Sequence, residues 1–314
     1  MSAGVEVGKN VNRVTKTKKR HKQSVKDTIS AYIYIAPFFI LFGVFGVFPI
    51  IYTGFISFHK WNILGEKTFV GFRNYQLLFS DPLFLKSLVN TFSIWILSTL
   101  PQLFLALVLA FMLNQAFLKG KQFFRLAVFL PNITSVVAVA IIFSAMFGQH
   151  YGVLNYLLSF FGVSPIDWKG SVMGTYVAIS AMVMWRWTGY NSIIYLAALQ
   201  SIPKELYEAA TIDGASKVQQ FFHITIPMVR PMIIFTVILS TIGGMQIFAE
   251  PMMFAGSGGG SINQGLTITL YLYEEAFVRN SFGYASAIAW MLFFIIVAFS
   301  LVNLFITNRI KSAE

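Results

Sequence analysis

The run AYIYIAPFFILFGVFGVFPIIYTGFISF, residues 31–58, holds 28 residues and no charge. A helix rises about 1.5 Å per residue, so about 20 mostly apolar residues cross the hydrocarbon layer of a bilayer. The run predicts a membrane-spanning helix. It is far longer than the roughly 7–15-residue apolar stretch of a cleaved secretory signal, which makes it a retained first span. Five further runs meet the same criterion: 88–114, 126–148, 172–199, 232–254 and 285–306. The expected fold class is an all-α polytopic membrane protein with six transmembrane helices.

Composition agrees with that reading. Hydrophobic residues make up 56% of the chain and charged residues 11%, against about 25% charged in a soluble domain. The net charge of +11 would suit nucleic acid, but its placement assigns it elsewhere. Eight cations (Lys9, Arg13, Lys16, Lys18, Lys19, Arg20, Lys22 and Lys26) precede the first span. Cytoplasmic loops carry the excess of Lys and Arg. With the N-terminus inside, the inner segments hold 16 and the outer loops six (Lys60, Lys67, Arg73, Lys86, Lys169 and Arg279), with Arg186 inside a span. The orientation is N-in and C-in. Residues 1–30 read as a disordered basic tail held at an anionic cytoplasmic membrane surface, so the partner is membrane lipid and not nucleic acid. Residues 31–314 form a single transmembrane domain.

The outer loops carry breaker signals, namely Asp81-Pro82, Pro165 and the glycine run at 256–261. They read as short connections. The inner segment at 200–231 differs. Pro203 suits the first turn of a helix, the residues from Lys204 to Asp213 are mostly good helix formers, and Gly214 fits a left-handed C-terminal cap. A second helical stretch from Ser216 is expected to stop before Pro227. The result is a short helix, a glycine corner and another helix at the membrane surface. Ala209, Ala210, Gly214 and Ala215 permit close approach by another protein, and Glu208 offers that protein a charge.

Glu208-Ala209-Ala210, then Gly214 after three intervening residues, then Ile224 and Pro227 reproduce the spacing E-A-A, three residues, G, nine residues, I-x-L-P, with Ile226 in place of leucine. This segment resembles the permease subunits of bacterial ABC importers. The resemblance implies a coupling helix that docks into a cleft of the ATP-binding subunit, through Glu208, Ala209, Ala210, Asp213 and Gly214. Three other segments look like the carbohydrate branch, which includes maltose, glycerol-phosphate, lactose and arabino-oligosaccharide permeases. They are the run from Leu196 to Tyr207, Val70-Gly71-Phe72-Arg73-Asn74-Tyr75, and Phe282-Gly283-Tyr284-Ala285-Ser286-Ala287. The chain lacks the extra N-terminal spans and large external domain of the maltose-type first permease, and resembles the smaller six-span first subunit. The implied partners are a second, homologous permease, two ATP-binding subunits carrying ATP and Mg, and an extracytoplasmic sugar-binding protein. The implied location is the bacterial plasma membrane.

No phosphate-cradling Walker loop occurs in the sequence, so ATP hydrolysis is expected on a partner, with no cofactor in this chain. With no cysteine there is no thiolate metal site. His21, His59, His150 and His223 lie in four separate segments and read as isolated surface residues, and no metal site is expected. Pro131, followed by Asn132, Thr134 and Ser135, either exposes polar groups to a cavity or is a packing kink. Arg186 lies mid-span, where an unpaired charge costs several kcal/mol, and Glu250 is its expected partner. Arg186, Gly189, Tyr190 and Ile193 share one helical stripe. With Ser240, Gly243, Gly244, Gln246 and Glu250 of the fifth span, Arg186, Gly189 and Tyr190 form the expected substrate path. Tyr190 either stacks on a sugar or packs against the partner permease. The rival readings are an ion-coupled secondary transporter, an ABC permease for a non-sugar solute, and a membrane-embedded enzyme.

Overall fold

The computed structural model describes the backbone of residues 25–62, 65–115 and 119–311, and the side chains of 30–62, 65–115 and 119–305. The basic tail lies outside the described residues as far as residue 24. The chain divides into two compact units, Met1–Tyr52 and Thr53–Glu314. The first is described from α1 (Val25–Phe42), which runs through a π turn at Gly43–Val47 into α2 (Phe48–Ser57), whose residues from Thr53 onward belong to the second unit.

In the second unit a hairpin of β1 (His59–Lys60) and β2 (Thr68–Phe69) pairs His59 with Phe69. His59, expected at the surface, is buried. Its Nδ1 lies 2.8 Å from the Phe55 carbonyl oxygen, and its ring centre lies 4.2 Å from that of Phe55 with the planes tilted by 41°. Next come α3 (Arg73–Ser80), α4 (Pro82–Asn114), α5 (Lys121–Ile133), α6 (Val136–Met146), α7 (Val153–Ser159) and α8 (Val172–Leu199). The remainder is α9 (Lys204–Ile212), α10 (Lys217–Gln220), α11 (Ile226–Met245), α12 (Ala249–Ala255), α13 (Ile268–Tyr273) and α14 (Phe282–Lys311). The connections expected outside thus contain a hairpin and short helices.

By length and composition, four helical stretches can cross a membrane: Ser30–Ser57, Pro82–Asn114, Lys217–Met245 and Phe282–Phe305. The expected third span is broken. Helices α5 and α6 bend by 92° at Thr134 and Ser135, just after Pro131. The Thr134 hydroxyl donates to the Leu130 carbonyl at 2.9 Å, satisfying a group that the break exposes. The expected fifth span is broken too. Helix α11 ends at Met245, and the chain turns through Gln246, Ile247 and Phe248 before α12. Depths counted along one continuous helix to Glu250 therefore do not apply. Helix α8 forms over the expected residues, but Arg186 and its polar neighbours leave it less apolar than the other spans.

Helix α4 is the central one: 44% of its most apolar part is buried, against 17% for Lys217–Met245 and for Phe282–Phe305. It packs most extensively on α8. Its buried small residues Ser87, Thr91, Ser98, Ala106 and Ala110 explain why. Small residues three to four apart let two backbones approach without a hydrophobic drive, which lipid does not supply. Tyr176 of α8 donates to Asn90 Oδ1 at 2.6 Å, and Ser180 donates to the Ile94 carbonyl at 3.3 Å. Asn90 also donates to the carbonyls of Asn263 and Leu266, at 2.8 and 2.9 Å, stitching the glycine-rich loop to α4.

Candidate functional site

Helix α9 is closed just beyond its end by Gly214, whose φ of +79° is the left-handed conformation expected there. Ala215 N–H reaches back to the Ala210 carbonyl at 2.8 Å and Gly214 N–H to Thr211 at 3.1 Å, closing the helix end. Ser216 then opens α10 with a capping box to Gln219. The second helix does not stop before Pro227. A π turn at Phe221–Thr225 carries it into α11, with Ile226 N–H bonded to the Phe221 carbonyl. The wider turn absorbs the hydrogen bond that proline cannot donate.

The inner side of this loop is clamped. Gln220, buried, donates to the Thr211 hydroxyl at 2.8 Å, and Tyr207 meets the Thr225 hydroxyl at 2.9 Å. Its outer side is open. Glu208, Ala209, Asp213 and Gly214 are exposed, Ala210 is half-buried, and Ile212 is 87% exposed. Sequence reasoning missed Ile212 because an isoleucine within a helix reads as core.

Within the membrane-spanning region a cavity of about 90 Å³ lies among α4, α8 and α11. Tyr190, Ser240, Gly243 and Gly244 line it, as expected, and so do Thr99, Gln102, Trp187 and Asn191. The α8 stripe facing it is Val183, Trp187, Tyr190 and Asn191, one register over from the expected one. Trp187 stands edge-on to Tyr190 with ring centres 5.6 Å apart, while Trp185 packs against Phe143 of α6. The other expected path residues lie off the cavity. Gly189 is buried where a Cβ would overlap the Val128 carbonyl of α5, so it serves helix packing. Gln246 is exposed beyond the end of α11. Arg186 Nη1 donates to Glu250 Oε1 at 2.5 Å, and the two charges neutralise each other off the cavity wall.

The helix architecture, the bent third segment and the exposed helix–glycine–helix loop coincide with a sequence match over residues 84–312 to the family described as binding-protein-dependent transport system inner membrane component. The chain belongs to that family. It is similar to the arabinooligosaccharides transport system permease protein AraP of Halalkalibacterium halodurans, at 37% identity over 90% of this chain and 89% of that one. It is similar also to the lactose transport system permease protein LacF of Rhizobium radiobacter, at 36% identity over 90% of this chain and 95% of that one. A crystal structure of a bacterial alginate ABC transporter, in complex with an alginate pentasaccharide-bound periplasmic protein, contains a chain of the same fold. The TM-score is 0.79 with 24% identity, covering 93% of this chain and 98% of that one. This permease is a multi-pass plasma-membrane subunit of an ABC importer.

The permease has a second and larger cavity, of about 580 Å³, where the hairpin, α3 and the starts of α4 and α14 meet α13. Asp81 caps α4 by accepting from Leu83 N–H at 2.9 Å. The same carboxylate accepts from the hydroxyls of Tyr271 and Tyr284, the latter at 2.6 Å. Burial acts to raise the Asp81 pKa, but these hydrogen bonds, with the amides of Leu83 and Phe84, outweigh it and hold the group below its ordinary value. Burial pushes Glu275 up, against the opposing Arg279 guanidinium 2.6 Å away. The sequence had shown Asp81 only as part of a breaker.

Proposed function

We propose that this permease forms one wall of a path for sugars or oligosaccharides into the cytoplasm, with a second, homologous permease forming the other. ATP and Mg act on two separate ATP-binding subunits, and an extracytoplasmic sugar-binding protein delivers the solute. The six crossings are the first long helix, α4, the bent α5 and α6, α8, α11 with α12, and α14, with both termini inside. The observation that carries the coupling is the 200–231 loop. Its inner side is bonded to itself, while its outer side presents Glu208, Ala209, Ile212, Asp213 and Gly214 to a partner. A rigid loop of this kind transmits a push from the ATPase into α8 and α11, between which it lies.

The cavity beside Trp187 and Tyr190 is the solute-facing wall. At about 90 Å³ it holds only a few waters, well below the ~300 Å³ at which ligand pockets begin. A full site therefore needs the second permease or an opened state. The substrate class rests on the relatives, which carry arabino-oligosaccharides and lactose by their names. The test is reconstitution with the ATPase, second permease and binding protein that co-purify with it, followed by a saccharide screen on the binding protein. Sugar-stimulated ATPase activity is expected. A binding protein that selects no saccharide moves the permease to non-sugar solutes, and uptake driven by an ion gradient without ATP removes the reading.

A further inference from the structure

Two apolar grooves flank the ring of Phe111 near the C-terminal end of α4. The larger, about 380 Å³, is walled by Leu109, Met112 and Leu113 of α4 and by Phe124 and Val128 of α5. The smaller, about 270 Å³, is walled by Phe104 and Val108 of α4 and by Val218, Phe221 and Phe222. Phe111 separates them, and both are bordered by one charged side chain, Lys217. Phe104 lies ten residues before the end of α4 at Asn114. That is about 15 Å at helical rise, half of the ~30 Å hydrocarbon thickness. The smaller groove thus runs from the interface to about the depth of one leaflet, and the larger, whose deepest α4 residue is Leu109, about half as far.

Two apolar slots joined at one cation at interfacial depth match a diacyl lipid with an anionic headgroup. The charge around them agrees. No Asp or Glu occurs between Asp81 and Asp167, a stretch that contributes Lys119, Lys121 and Arg125 close to α5. Arg125, adjacent to Phe124, keeps a buried Nε without a hydrogen-bond partner among the described residues. Among the described residues Lys217 donates once, to Gln220 Oε1 at 3.0 Å, which leaves two ammonium hydrogens for a phosphate. A protein subunit covering the same grooves would bury those cations against an apolar face at a cost, whereas a phosphodiester pairs with them.

We propose that these grooves seat the two acyl chains of one anionic glycerophospholipid, with its phosphate on Lys217. Lys217 opens the second helix of the 200–231 loop, so the bound lipid pins that helix to the bilayer surface. The test is native mass spectrometry of the assembled transporter released from nanodiscs of phosphatidylglycerol and phosphatidylcholine with the same acyl chains. The wild type should retain phosphatidylglycerol in preference to phosphatidylcholine, and Lys217→Gln should weaken that retention about fivefold. Met112→Trp, which fills the larger groove and leaves the charge, should lose both lipids at this site. Equal retention of the two lipids, or an unchanged preference in Lys217→Gln, would overturn the proposal. So would efficient cross-linking of Met112→Cys to another subunit, since protein would then fill the groove.

Discussion

Arg186 of α8 and Glu250 of α12 meet at 2.5 Å, with side chains only 15% and 7% exposed, across the break that separates α11 from α12. The pair explains how a guanidinium is tolerated inside a bilayer. Breaking such a pair leaves one uncompensated buried charge, at a cost of about 3–5 kcal/mol. Glu250→Ala should therefore lower the thermal stability of the purified permease strongly. The double variant Arg186→Met, Glu250→Leu should recover most of the loss. A double variant as unstable as the single one would show that the pair is not the cause.

Gly214 has a left-handed φ, and nothing lies within 4 Å of a Cβ built there. Gly214→Ala then costs only the backbone term, about 1–2 kcal/mol, and should leave membrane insertion intact. Gly214→Trp should abolish sugar-stimulated ATPase activity, because the bulk would meet the docked partner and not this chain. Glu208→Ala should lower the same activity with sugar binding unchanged. Full stimulation in both variants would place coupling elsewhere.

Two glycines on the cavity-forming helices should respond in opposite ways. Gly189→Ala drives a methyl into the Val128 carbonyl and should destabilise the permease by about 1–3 kcal/mol, as overpacking does. Gly243→Ala meets nothing within 4 Å, and should keep the melting temperature while narrowing the cavity. Tyr190→Ala and Trp187→Ala should change which sugars enter, with basal ATPase activity retained. Unaltered uptake of every sugar in the Tyr190, Trp187 double variant would move the path.

Asp81 should confer a pH-dependent share of stability. Its folded pKa is depressed by hydrogen bonds that burial only partly opposes. A depressed carboxylate stabilises fully above its unfolded value and ceases to do so as pH falls through its folded value. Glu275, raised by burial, acts in the opposite sense, so total stability blurs the two. The difference in melting temperature between Glu275→Gln and the double variant Glu275→Gln, Asp81→Asn isolates the first. It should be largest near about pH 7 and shrink towards about pH 3. A difference independent of pH would deny the carboxylate this role.

Sequence alone determined the membrane class, because uncharged runs of more than about 20 residues have no other stable setting. It determined the glycine corner as well, since a left-handed cap is a local property that Gly214 satisfies without tertiary help. The Arg186–Glu250 pair was legible because a lone buried charge of each sign has few possible partners. Other features depended on packing. Whether Pro131 and Pro227 end a helix turned on local detours: a 92° break after the first and a π turn before the second. Which α8 stripe faces the cavity turned on the close approach of Gly189 to α5, which rotates Trp187 and Tyr190 inward and sends Trp185 towards Phe143. Periodicity gives only the relative angle of side chains on one helix; the neighbour that a helix meets sets the absolute one. Asp81, a turn residue by sequence, acquired its tyrosine partners from segments about 190 and 203 residues away, a distance that no local pattern spans.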